Sequence, residues 1–234
     1  KENGLAILFM WRGNVTLQVC PPSVYYIPNF ITPQEESLIL STVERTPKPR
    51  WTQLAHRRLI NFGGLPHPKG MIAEEIPSWL LTYVDRVNQL TGVFEENRKA
   101  NHVLVNEYLP GEGIMAHLDG PLFYPTITTI SCGSHTVLEF QEPRGSDDVE
   151  VKLERRLVTK ILVQPRSLLI LKDAMYEKYL HSIDEINEDT IDDDIANLSS
   201  DGSIKKGDVL ARTKRISLTI RHVPKTSKMK IKLF

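Results

Sequence analysis

His117-Leu118-Asp119 and a later His181 are the residues whose types and spacing most directly suggest chemistry. Two imidazoles and one carboxylate on one side of a metal form the facial triad that holds non-haem Fe(II) in oxygenases. Three protein ligands leave three adjacent coordination positions open for a co-substrate and O2. The His-x-Asp pair alone carries little weight. With 7 His and 29 acids in 234 residues, chance supplies about one such pair, and the chain has one.

Two further patterns add to it. Arg215-Ile-Ser217-Leu-Thr219-Ile-Arg221 alternates polar and apolar residues. In a strand, Arg215, Ser217, Thr219 and Arg221 share one face, and Ile216, Leu218 and Ile220 share the other. If the polar face lines a barrel interior, two buried guanidiniums require anions, and a dicarboxylate supplies them in the bidentate geometry that Arg prefers. Upstream, Asn106 and Tyr108 alternate in the same way and precede the Pro110-Gly-Glu-Gly113 turn that leads to His117. Each pattern is common, but their joint order along the chain is not.

These groups need a scaffold. Thr32-Pro33-Gln34-Glu35 reads as a capped helix start, with Thr32 as N-cap, Pro33 at the first helical position and Glu35 completing a capping box. That helix is expected to reach about residue 46, where Pro47 and Pro49 stop it. A second helix is expected over 77–90, with Trp79, Leu80, Tyr83, Val84, Val87 and Leu90 on one face. From residue 102 the pattern changes to short β-rich runs at 102–109, 114–118, 126–132, 135–141, 158–163, 167–172 and 215–223, with His181 on a later strand. Helices first and a β core after them make one α+β domain built on a sandwich, jelly roll or barrel.

Composition narrows the function classes. The chain is 41% hydrophobic and 25% charged, and 29 Lys plus Arg balance 29 Asp plus Glu. That excludes a uniformly basic nucleic-acid binder and an acidic disordered chain. Two cysteines, Cys20 and Cys132, form no disulfide framework and no C-x-x-C metal site, and imply a reducing compartment, cytoplasm or nucleus. The run Leu5–Trp11 is far shorter than the ~20 residues of a membrane helix, so no membrane partner is expected. Residues 1–21 read as an extension outside the core fold.

Asn106-x-Tyr108-x-Pro110-Gly-x-Gly113, His117-x-Asp119, His181 and Arg215-x-Ser-x-Thr-x-Arg221 together resemble the AlkB family of Fe(II)/2-oxoglutarate dioxygenases. The stretches Pro66–Gly70, Leu109–Met115 and Gly133–Val137 narrow the resemblance to one vertebrate branch of it. It covers roughly residues 22–223, leaving 224–234 as a basic tail. The resemblance implies a double-stranded β-helix (jelly roll) core with the N-terminal helices packed on it, and Fe(II) at one mouth on His117, Asp119 and His181. It implies that Asn106, Tyr108, Arg215 and Arg221, helped by Ser217, hold 2-oxoglutarate. Ser217 stands where many members carry Asn, and Leu118 where an acid is found. The implied reaction consumes 2-oxoglutarate and O2, releases succinate and CO2, and removes an N-methyl group as formaldehyde.

The substrate is addressed by residues 45–70, which carry Arg45, Lys48, Arg50, Arg57, Arg58 and Lys69, no acid, and the aromatics Trp51 and Phe62. Cations interleaved with aromatics suit phosphate contact and base stacking. In AlkB relatives this region forms a lid over a flipped base. Trp51, Arg57 and Arg58 are therefore the expected substrate contacts, and DNA or RNA the expected partner of a monomeric enzyme in cytoplasm and nucleus. A dioxygenase acting on a protein side chain, and a non-catalytic nucleic-acid-binding or scaffold member of the fold, are the competing readings. Residues 184–201 hold eight acids and no Lys or Arg, and read as an exposed, mobile loop.

Overall fold

The computed structural model describes residues 18–19, 23–90, 92–143, 156–198 and 203–227. The run Leu5–Trp11 and Cys20 lie outside them, as do residues 228–234 of the tail. In chain order the strands are β1 (Gln18–Val19), β2 (Val24–Ile27), β3 (Thr52–Leu54), β4 (Arg57–Phe62), β5 (Met71–Ile72), β6 (His102–Tyr108), β7 (Ile114–His117) and β8 (Thr126–Cys132). There follow β9 (Thr136–Gln141), β10 (Leu157–Val163), β11 (Leu168–Lys172), β12 (Leu180–Ile183), β13 (Glu188–Thr190), β14 (Val209–Ala211), β15 (Arg215–Arg221) and β16 (Thr226–Ser227). The helices are α1 (Pro33–Glu44), α2 (Ser78–Asn88) and the short α3 (Asp173–Glu177).

Two sheets face each other. The larger runs β1-β2-β11-β8-β15-β6-β4-β3 and the smaller runs β10-β9-β12-β7. Strict alternation divides the larger sheet into an outer and an inner side. Its outer side contributes Ile60 and Phe62 from β4, Val103 and Val105 from β6, and Ile216, Leu218 and Ile220 from β15. There Ile39 and Val43 of α1 and Leu80, Tyr83, Val84 and Val87 of α2 cover it. The inner side meets Leu138, Phe140, Ile161 and Val163 of the smaller sheet across Tyr26, Tyr108, Leu169 and Leu171.

The local signals hold at the helices. Thr32 Oγ1 accepts from the Glu35 amide, and the Glu35 carboxylate accepts from the Thr32 amide, which closes the expected capping box. The second helix starts after Pro77 without a side-chain cap, and Trp79 meets the Phe62 ring edge-on with centroids 6.1 Å apart.

Two expectations need correction. The helices do not simply precede the β core, because β2, β3 and β4 enter the larger sheet from the N-terminal part of the chain. All four residues of β2 are buried, on alternate faces, so the strand reads as a short unbroken apolar run with no visible period. Nor is 184–198 a free loop. β13 pairs with β14, Asp189 is only 2% exposed, and Ile191 and Ile195 pack with Val137 and Leu162 on the back of the smaller sheet. Asp189, Asp192 and Asp193 pair with cations supplied from elsewhere in the chain. Arg212 clasps Asp189 with both ends of its fork at 2.7 and 2.6 Å, His135 Nε2 lies 3.0 Å from the same carboxylate, and Lys160 reaches Asp192 at 2.7 Å. Arg212 pulls the Asp189 carboxyl down to about 2 against the opposing effect of burial.

Candidate metal and co-substrate site

The open end of the space between the sheets is a cavity of about 280 Å3. β7 and β12 are antiparallel neighbours in which His117 and His181 stand directly opposite each other. Their rings are 4.4 Å apart between centroids. Asp119, two residues beyond the end of β7, turns its carboxylate back to within 3.9 Å of His117 Nε2 and 4.0 Å of His181 Nε2. One ligand atom from each of the three lies within 4.8 Å of the others.

The electrostatics favour ligation. His117 Nδ1 lies 2.8 Å from the Met115 carbonyl. A carbonyl only accepts, so Nδ1 donates to it, and Nε2 is the ring atom turned toward Asp119. Burial, with the neighbouring His117 acting the same way, pushes His181 down to about 4 although Asp119 opposes them. Its imidazole is therefore neutral at physiological pH, as a metal ligand must be. The donor set of two neutral nitrogens and one carboxylate oxygen fits Fe(II).

The inner side of the larger sheet supplies the polar wall. Arg215, Ser217, Thr219 and Arg221 of β15 line the cavity beside Asn106 and Tyr108 of β6. Ser217 lies between Asn106 and Ser131 in register. Arg215 and Arg221 are 6% and 5% exposed, and burial lowers the pKa of each guanidinium. Arg221 lies 3.6 Å from Asp119, with its guanidinium 3.8 Å from the centroid of Phe123. Arg215 donates to Ser131 Oγ at 2.9 Å. The Nε of each Arg and the Oδ1 of Asn106 are buried without a hydrogen-bond partner. Such orphans are costly unless a polar ligand satisfies them, and a dicarboxylate with one end at the metal does so.

The basic stretch behaves differently. β4 alternation sends Arg57 into the cavity and Arg58 to the opposite face. Arg58 is bound bidentately by Glu107 at 2.6 and 2.8 Å and covers the Trp51 ring at 4.1 Å. Trp51 in turn packs on the outer core. The expected trio of Trp51, Arg57 and Arg58 is thus split, and only Arg57 reaches the cavity. One residue of sequence separation places adjacent strand side chains on opposite faces.

Three contacts had no signature in the sequence. Ser131 fixes Arg215, Phe123 covers Arg221, and Tyr176 donates to the Gly120 carbonyl at 2.6 Å, which secures the turn after Asp119. Of these, only Ser131 sits on an expected strand, where alternation turns it to the polar side.

A family model described as the 2OG-Fe(II) oxygenase superfamily matches residues 63–221. The zebrafish (Danio rerio) protein named "Probable RNA/DNA demethylase ALKBH6" is 55% identical over 207 residues, covering 88% of this chain and 87% of its own length. "Uncharacterized protein L905" of Acanthamoeba polyphaga mimivirus is 28% identical over 204 residues, covering 85% and 84%. The solved structure of OsALKBH1 superposes with a TM-score of 0.55 at 13% identity, covering 88% of this chain and 99% of that one, a likeness of fold alone. Sequence identity over most of both chains, joined to a family match that contains His117, Asp119, His181 and the whole polar wall of β6 and β15, leads to one conclusion: the chain belongs to the AlkB family of the 2OG-Fe(II) oxygenase superfamily.

Proposed function

We propose that the protein is an Fe(II)- and 2-oxoglutarate-dependent dioxygenase that removes N-methyl groups from nucleic-acid bases. The convergence of His117, Asp119 and His181 opposite two buried, under-bonded Arg carries this reading. The substrate class is supported by the name of the zebrafish relative, a probable RNA/DNA demethylase. Bound iron, together with 2-oxoglutarate and O2, supplies the oxidising chemistry.

The chain's own residues bind, orient and shield. His117, Asp119 and His181 would hold the metal at the cavity mouth. Asn106, Tyr108, Arg215 and Arg221, with Ser217 between them, hold the co-substrate along the inner side of β6 and β15. Arg221 also braces the metal-binding carboxylate of Asp119. The apolar walls of Leu138, Val163, Leu169 and Leu171 keep water from the deep side of the cavity. No separate general base is required, because the methyl group is hydroxylated and then leaves as formaldehyde.

We take residues 22–223 as the catalytic domain of a monomer working in cytoplasm and nucleus, where nucleic acid is available. The test is nucleoside mass spectrometry after incubating the purified chain with Fe(II), 2-oxoglutarate and methylated oligonucleotides. Loss of a methyl mark with matching succinate is the expected result. Methyl loss from a methylated peptide and from no oligonucleotide would redirect the substrate assignment to protein. Absence of any succinate would remove the enzyme reading.

A further inference from the structure

Among the described residues, Arg57 is the one cation lining the cavity that lies outside the metal and 2-oxoglutarate sets the family pattern implies. It is half-buried, its Nε is buried without a hydrogen-bond partner, and no carboxylate pairs with it among the described residues. Its position is fixed by the hairpin that carries it. The Arg57 carbonyl accepts from Gln53 Nε2 at 3.3 Å, and the next residue, Arg58, is locked to Glu107 on the other face. A side chain held from behind in this way is pre-organised for a ligand in front.

Its place along the sheet says which ligand. β4 and β6 pair with Arg58 opposite Glu107, and β6 and β15 pair with Tyr108 opposite Arg215. Arg57 and Tyr108 are each one residue along from the Arg58–Glu107 pair. Arg57, Tyr108 and Arg215 therefore form a row across three strands at one end of the inner wall, with Arg221 at the other end of β15. The phenol of Tyr108 registers both neighbours: burial raises its pKa, and Arg215 and then Arg57 oppose that rise. Charge agrees with position. Among the described residues the cavity is lined by three guanidiniums and the single carboxylate of Asp119, an excess of two positive charges before any metal is counted. Cations in excess in a partly desolvated cavity, two of them buried, call for anions, and a dicarboxylate carries two.

We propose that Arg57 is a co-substrate residue: together with Arg215 and the Tyr108 hydroxyl it clasps the carboxylate of 2-oxoglutarate remote from the metal. The lid hairpin then contributes to holding the co-substrate, and Arg57 is removed from the set of substrate contacts. This inference rests on the 2-oxoglutarate reading of the site.

Isothermal titration calorimetry of the full chain loaded with Mn(II) tests it without turnover. Arg57→Ala is expected to weaken 2-oxoglutarate binding about tenfold, the scale of one charge-assisted contact. Arg57→Lys is expected to retain part of the affinity, since it keeps the charge and loses the fork. Binding of 2-oxobutanoate, which lacks the remote carboxylate, is expected to be unchanged in Arg57→Ala, as is oligonucleotide binding. A general structural defect would move all three together and overturn the assignment. So would Arg57→Ala with unaltered 2-oxoglutarate affinity and weakened oligonucleotide affinity, which would return Arg57 to the substrate. Arg215→Ala is the control. If both variants bind 2-oxoglutarate as the unaltered chain does, the co-substrate reading of the cavity falls, and this inference with it.

Discussion

His117 and His181 are cross-strand partners on the inner side of the smaller sheet, with ring centroids 4.4 Å apart. The metal geometry is thus set by the register of β7 on β12. Anything that shifts this register moves two ligands relative to each other, while Asp119 follows through its short link to β7.

Gly113 is where that register is most exposed to mutation. A Cβ there would overlap the Ile183 carbonyl oxygen and crowd Asp184, both on or next to β12. Gly113→Ala is expected to lower metal affinity at least tenfold and to destabilise the fold by about 2 kcal/mol or more. Gly120, after Asp119, has φ +82 but open space around it. Gly120→Ala is expected to cost about 1 kcal/mol from backbone strain alone. Metal content by mass spectrometry and thermal denaturation would check the contrast, and equal effects at the two sites would count against the register argument.

Removing a ligand separates metal binding from folding. His181→Ala is expected to abolish iron retention and lower succinate formation by two orders of magnitude or more. The circular dichroism spectrum should stay unchanged, since the sheets are held by apolar packing on both sides.

Arg58 is expected to behave as a structural residue. Its bidentate pair with Glu107 joins two neighbouring strands, and Glu107 is 6% exposed. Arg58→Ala leaves that carboxylate unpaired, at a cost of about 2 kcal/mol once the partial exposure of Arg58 is allowed for. The salt dependence of oligonucleotide binding should not change. A shallower salt slope would show that Arg58 contacts phosphate after all.

Stability should fall on mild acidification. His102 is fully buried, and burial, followed by the nearby Arg221 cation, pushes its imidazole from about 6.5 down to about 3. Between these values the unfolded chain binds a proton that the native chain does not. Stability therefore rises with pH across this window, by about 1.4 kcal/mol per unit for one such group, and is lost as pH falls through it. His181, pushed down to about 4, acts in the same direction. Denaturation midpoints measured from pH 7 to pH 4 should fall, and His102→Gln should reduce the slope by about one proton.

Local chemistry was legible in the sequence wherever it depends on spacing along one element. The Thr32–Glu35 capping box, the apolar stripe of α2 and the two faces of β15 follow from periods of 3.6 and 2.0 residues, which no partner can change. The polar face of Arg215, Ser217, Thr219 and Arg221 could be read in this way, but not the side on which it lies. Only the packing of α1 and α2 on the opposite face turns it into the barrel.

Pairings between distant segments were decided by the tertiary structure. Asp189 lies in a run that reads as free acid, and it is buried because Arg212, just after β14, and His135, just before β9, are brought to it by the fold. Arg57 and Arg58 look equivalent in the chain, yet the pleat of β4 sends one to the cavity and the other to Glu107. His117, Asp119 and His181 are named by the sequence as ligand types. They become a metal site because β7 and β12 are hydrogen-bonded neighbours, a long-range contact that no local period encodes.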